Sequence, residues 1–94
     1  METSITPEIV QEFKERMHIT HSAEDSNLQR LLSFSYARIK SACGDFDIHN
    51  NLTGKELVYE RTRYAYNDAV EYFEDNFLSQ LHSFGLDNLG DDDA

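Results

Sequence analysis

The chain is poor in the residues that usually stand in for a large core. Cys43 is its one cysteine, which excludes an internal disulfide framework and any paired-cysteine metal knuckle. It fits a reducing interior. Pro occurs once, Gly four times and Trp never, so collagen-like and low-complexity classes are excluded. Cations are scarce: eight Lys and Arg stand against 18 Asp and Glu, and none follows Arg63. Binding to nucleic-acid backbones or to anionic membrane needs the opposite balance. No apolar run approaches the roughly 20 residues that span a bilayer, so no membrane association is expected. The first ten residues, METSITPEIV, lack a cationic and an apolar region, so no signal peptide is expected.

What is present is enough for one small domain. Ninety-four residues with 39% hydrophobic and 12% aromatic content read as a folding chain. A core of this size is marginal alone, and oligomerisation often makes up the deficit.

Helical periodicity dominates. Thr6 is placed to cap a first helix, Pro7 suits its first position, and Ile5 and Val10 occupy the two sites of a hydrophobic staple. Ile9, Val10, Phe13 and Met17 then follow helical spacing, so this helix is expected to end near Met17. Ser22 and Asp25 have the form of a capping box. They open a second helix, expected over about Ala23–Cys43, with Leu28, Leu31, Leu32, Ser35, Tyr36, Ile39, Ala42 and Cys43 on one stripe. Gly44 lies where a left-handed C-cap belongs. Phe46 and Ile48 are expected to pin the following connector to the core. Thr53 and Glu56 form a further capping box. After them Leu57, Val58, Arg61, Ala65, Ala69, Tyr72 and Phe73 recur at helical spacing in a third helix. Asp75-Asn76 are a candidate stop. The Phe77, Leu78, Leu81, Phe84 pattern equally suits a continuation or a short separate helix closed by Gly85.

These signals predict an all-α fold: a small three-helix bundle with a C-terminal extension or short fourth helix and a flexible acidic tail. Its core is expected to include Val10, Phe13, Leu28, Leu32, Ile39, Leu57, Ala65 and Ala69. The helical core is assigned to residues 1–76, and residues 77–94 to a docking arm and tail.

Charge is uneven along the chain. Residues 1–53 carry eight acids and five bases, and residues 54–94 carry ten acids and three bases. The acidic end reads either as a solvated face with a solubilising tail or as an extension that docks on a partner. In the second reading Phe77, Leu78, Leu81, Phe84, Leu86 and Leu89 form the docking stripe, outside the monomer core. Removing everything after Asn76 should then leave the fold intact. Arg61 falls on the apolar stripe of the third helix, where a cation needs a carboxylate partner, either within the chain or across a subunit boundary.

Catalytic and metal signals are weak. His18 and His21 are three apart, but they fall in a connector without further ligands nearby, and His49 and His82 stand alone. Cys43 ends a helix, where the dipole disfavours a thiolate. Glu71, Glu74 and Asp75 are an acid cluster of the kind helix surfaces carry routinely. There is no Gly-rich phosphate loop and no nucleophile elbow. No catalytic residue, cofactor or metal is expected.

The order of segments resembles a known family. A first amphipathic helix (ITPEIVQEFKERM), a turn at Met17-His18-Ile19, acids at Glu24-Asp25, a leucine-rich helix with Leu28, Leu31 and Leu32, and then Gly44 are similar to the small head–tail connector proteins of tailed bacteriophages. These are also called adaptor or head-completion proteins. The likeness is closest over residues 6–46 and continues loosely at Ala69, Tyr72, Phe73 and Asn76. It implies a virion protein made in the host bacterial cytoplasm. Such a protein forms a homo-oligomeric, dodecameric ring below the portal protein, extends the DNA exit channel used in DNA ejection, and docks the tail or next connector component. DNA would pass without specific binding, which suits an acidic wall. The competing reading of the same acidity is a helical regulator, such as a DNA-mimic inhibitor of a basic nucleic-acid enzyme.

Overall fold

The computed structural model describes residues 5–92, with side chains as far as Asn88. The protein is all-α. Its elements are α1 (Pro7–Met17), α2 (Asp25–Cys43), α3 (Leu52–Tyr66), a 3₁₀ turn (Val70–Tyr72), α4 (Phe73–Asn76) and α5 (Leu78–Asp92).

Helix α1 begins as its sequence dictates. The Thr6 hydroxyl accepts the Ile9 amide, and Pro7 takes the first helical position. It ends in a Schellman motif. His18 adopts a left-handed φ of 61°, its N–H donates to the Glu15 carbonyl, and the Ile19 N–H reaches back to the Lys14 carbonyl at 2.9 Å.

Helix α2 starts differently from the expected capping box. Its N-cap residue, Glu24, makes no side-chain cap. The Asp25 carboxylate is held instead by Lys14, with Nζ 2.8 Å away. Lys14 is buried, and a buried ammonium needs a counter-charge more than a helix end needs a second acceptor. At the far end Gly44 has a positive φ of 98° but an extended ψ of 165°, so it turns the chain sharply away from α2.

The connector from α2 to α3 is pinned by one hydroxyl. Tyr36 Oη donates to the Phe46 carbonyl at 2.6 Å and accepts the Ile48 amide at 3.2 Å. Ile48 is fully buried, and the Phe46 ring stands edge-on to both Tyr36 and Phe84. Helix α3 is capped by Asn51, whose side-chain oxygen accepts the Gly54 amide at 2.9 Å. The expected Thr53–Glu56 cap is corrected by two residues. Tertiary packing fixes the choice, because the Phe46 ring lies against Gly54 in the first turn of α3.

That contact yields a prediction. Any Cβ at position 54 would overlap the Phe46 ring. Alanine gains about 0.8–1.0 kcal/mol of helix propensity over glycine. Overpacking a ring held between two others costs about 1–3 kcal/mol. The clash is expected to win, so Gly54→Ala should lower the melting temperature. A rise would show that Phe46 swings aside freely.

Helix α3 stops at Tyr66, short of the sequence expectation. Asp68 takes a left-handed φ of 63°, and the Ala69 N–H donates to the Tyr64 carbonyl. Ala69, Tyr72 and Phe73 are therefore not on α3. Tyr72 is exposed, while Phe73 turns inward, stacks on Phe77 and meets the edge of Tyr64. The core joins α1 (Ile9, Val10, Phe13), α2 (Leu28, Leu32, Tyr36, Ile39, Cys43), α3 (Leu57, Val58, Tyr59), Phe73, and α5 (Leu81, Phe84). Of the expected core residues, only Ala65 and Ala69 are less than buried.

Helix α5 belongs to this core. Leu81 and Phe84 are 7% and 3% exposed. The Cys43 thiol donates to the Leu81 carbonyl, and the Asn88 amide donates to the Cys43 carbonyl at 3.0 Å, covering the C-terminus of α2. The expectation that residues after Asn76 stand outside the monomer core is thereby corrected. The expected acidic tail is also helical in backbone as far as Asp92. Residues 93–94 lie outside the described residues.

Candidate docking surface

The cations are mostly turned inward on the protein's own acids. Lys14 pairs with Asp25, Lys55 with Glu12, Arg38 with Glu74, Arg16 with Glu56 and Glu60, and Arg63 with Glu60. Lys40 lies over the Tyr36 ring. Arg30 hydrogen-bonds Asn27 and makes no ion pair among the described residues. Exposed carboxylates such as Glu8, Asp45, Asp68, Glu71, Asp75 and Asp87 make no ion pair among the described residues, so the outer field is negative.

The expected docking stripe splits in two. Leu81 and Phe84 face the core, and Phe77 is half-buried against Phe73 and Tyr64. Leu78 and Leu86 face outward, 52% and 68% exposed. The Leu89 side chain lies outside the described residues. The split follows from helical phase: residues 81, 84 and 88 share one side of α5, in phase with Phe77 just before it, and residues 78, 82 and 86 share the next. Sequence spacing alone did not separate these two stripes, because both are apolar.

For Arg61 the structure answers only the within-chain alternative. No carboxylate lies within ion-pair distance of it among the described residues. Its Nη1 donates to the buried Ser35 hydroxyl at 3.2 Å, and its Nε–H is buried without a partner. Burial lowers its pKa, with Glu74 opposing and Arg38 reinforcing that effect. Two arginines thus share one nearby carboxylate, and Arg38 holds it in a fork at 2.6 and 3.0 Å.

This arrangement predicts an acid response. The Arg38 hydrogen bond holds the Glu74 carboxyl below its ordinary value of 4.5. A carboxyl depressed in the folded state adds stability above its unfolded pKa and loses it as pH falls through the folded pKa. Glu74→Gln should therefore cost stability at neutral pH, about 1 kcal/mol or less for so exposed a pair. The difference from wild type should vanish in acid below 4.5, as read by melting temperature against pH. An undiminished difference at low pH would refute the assignment.

Other reactive groups are locked in structural roles. Tyr59 is buried, and its hydroxyl donates to Glu12 Oε1 at 2.6 Å. Burial and that carboxylate raise the phenol's pKa, while Glu12 is lowered by the Tyr59 bond and by Lys55. Burial also raises the Cys43 thiol, the wrong direction for a nucleophile. His18, His21, His49 and His82 are all exposed. No set of three or more metal-ligating side chains converges among the described residues.

An apolar groove that sequence reading did not identify runs between α3 and the start of α5. Leu52, Thr53, Glu56, Leu57, Glu60, Phe77 and Gln80 line it, around about 510 Å³ of space. Leu52 is 68% exposed. The signal in the sequence was Leu52 itself, a leucine in the first turn of a helix whose apolar stripe begins at Leu57. A second exposed ring, Phe34 at 58%, lies on the outer face of α2. No protein-family model matches the chain, and neither a curated protein nor a solved structure matches it.

Proposed function

We propose that the chain is a structural head–tail connector of the tailed-phage type. It would assemble as a ring below the portal, extend the DNA exit channel and offer a seat for the tail or next connector component. The observation that carries the reading is the N-terminal half. Helix α1, the turn at His18-Ile19, the acids Glu24-Asp25 and the leucine-lined α2 followed by Gly44 keep the residue order on which the family resemblance rests. The charge pattern supports it too. With most of its cations paired to its own acids, the protein presents a negative surface that a DNA duplex passes without sticking. In this reading the first three helices form the bundle, α5 completes it, and Leu78 and Leu86 remain for partners. Arg61, half-buried and bonded to Ser35 within the chain, is the residue to which a neighbouring subunit of the ring would bring a carboxylate.

The test is direct. Purified virions of the phage that carries the gene should contain the chain, and electron microscopy should place it as a ring beneath the portal. Particles lacking it should hold packaged heads without tails. A chain absent from virions that instead inhibits a nucleic-acid enzyme stoichiometrically would replace this reading with the DNA-mimic one.

A further inference from the structure

We propose that the outward face of α5, built on Leu78, His82 and Leu86, docks against a cationic, apolar surface of another protein. The inference goes beyond the connector reading and does not rest on it, because it names only the chemistry of the partner.

The face is unused within the chain. Residues 78, 82 and 86 recur at every fourth position of α5, and all three are exposed. The helix packs through Leu81, Phe84 and Asn88 on its other side. The flanks of the outward stripe are acidic. Asp75 lies three residues before Leu78, and Asp87 directly follows Leu86. Both are exposed and make no ion pair among the described residues. They differ in this from Glu56 and Glu60 beside the α3–α5 groove, which Arg16 and Arg63 already neutralise.

The helix itself favours a cationic partner. Its last turn, residues 89–92, reads LGDD, with two acids and no base at the end where the helix dipole is already negative. Glycines at positions 85 and 90 lower its helix propensity further. Packing does not demand the first of them, since a Cβ at position 85 would come no closer than 3.6 Å to Cys43. Positive charge laid along this half opposes the unfavourable pole, and an apolar seat takes Leu86. Charge also excludes the other occupants. Lys14, Arg16, Arg38, Lys55 and Arg63 are held in ion pairs, Lys40 lies over Tyr36, and Arg61 is bonded to Ser35. A second copy therefore offers at most Arg30, against a net charge of −10. Anionic lipid and nucleic-acid phosphate are repelled by the same acids. A protein surface with Lys or Arg around an apolar seat satisfies both halves of the stripe.

The experiment titrates the full chain with two synthetic helical peptides. One carries leucines on one face and lysines along its flanks, and the other has glutamate in place of every lysine. The wild-type protein should bind the lysine peptide one-to-one, with amide shifts in nuclear magnetic resonance centred on residues 75–88 and slower hydrogen exchange over 85–92. Affinity should fall as salt rises, and the glutamate peptide should not bind. Leu78→Gln combined with Leu86→Gln should weaken binding about tenfold or more, whereas Leu52→Gln or Phe34→Gln should change it by about twofold at most. All four sites are exposed, so the variants should fold, as circular dichroism will check. Should the double variant melt early, the shift map on the wild-type protein decides alone. No binding, equal binding of both peptides, shifts spread over the acidic surface or centred on the α3–α5 groove, or a folded double variant that binds as wild type does would each overturn the proposal. The connector reading fails separately. A chain absent from virions would sink that reading and leave this face standing. A chain found beneath the portal whose α5 ignores the lysine peptide would do the reverse.

Discussion

Truncating the chain after Asn76 is expected to unfold it. The cut removes Leu81 and Phe84, both buried in the common core. It also removes the Asn88 amide that covers the Cys43 carbonyl and the carbonyl that accepts the Cys43 thiol. Deleting a buried leucine costs about 2–5 kcal/mol and a buried phenylalanine about 3–5. A domain is typically stable by only about 5–15 kcal/mol in total, and one this short lies toward the low end. The Phe46 ring would lose the Phe84 edge that helps hold it against Gly54, so the damage should spread to the start of α3. Far-ultraviolet circular dichroism of the truncated chain should show a broad or absent melting transition. A cooperative melt at the wild-type temperature would return α5 to the status of a free arm.

Leu32→Ala should be strongly destabilising. Leu32 is fully buried in the cluster that joins α1, α2 and α3. The loss is about 2–5 kcal/mol, because surrounding side chains only partly close the space a leucine leaves. For a domain of this length each 1 kcal/mol corresponds to roughly 4–8 °C, so the melting temperature should fall by about 10 °C or more. Phe34→Asp, two residues on and on the opposite face of the same helix, gives the contrast: its ring is exposed, so its melt should shift little. An unchanged melt for Leu32→Ala would mean that the inward face of α2 has been misassigned.

The sequence carried the N-terminal half well because local and tertiary forces agree there. Thr6, Pro7 and the Ile5–Val10 pair each favour the same start for α1, and both apolar residues are buried. The stripe on α2 keeps one phase, so Leu28, Leu32, Ile39 and Cys43 face inward, while Leu31 and Ala42, expected on the same stripe, fall at its margins, half-buried and exposed. Legibility failed where two local solutions were nearly equal. Asn51 and Thr53 are both good caps, and the Phe46 ring on Gly54 decided between them. Asn67-Asp68 is a break signal as good as Asp75-Asn76, since both residue types tolerate left-handed backbone; the chain uses the first of them for that turn, at Asp68. On α5 the apolar residues form two adjoining stripes, and only the position of α2 tells which is buried. Arg61 was recognised as a cation in an awkward place. Its neighbour, the Ser35 hydroxyl, came from another helix and left no mark in local spacing.

The thiol of Cys43 turns the seam between α2 and α5 into a clock. It is 6% exposed and its proton is engaged by the Leu81 carbonyl, so a thiol reagent reaches it only when α5 lifts. With no other cysteine in the chain, the rate of labelling reports that one opening, free of interference. Under native conditions, where reclosing outpaces reaction, the rate measures the free energy of detaching α5. Where assembly clamps that helix, the clock should slow, and its slowing can be followed without attaching any probe in advance.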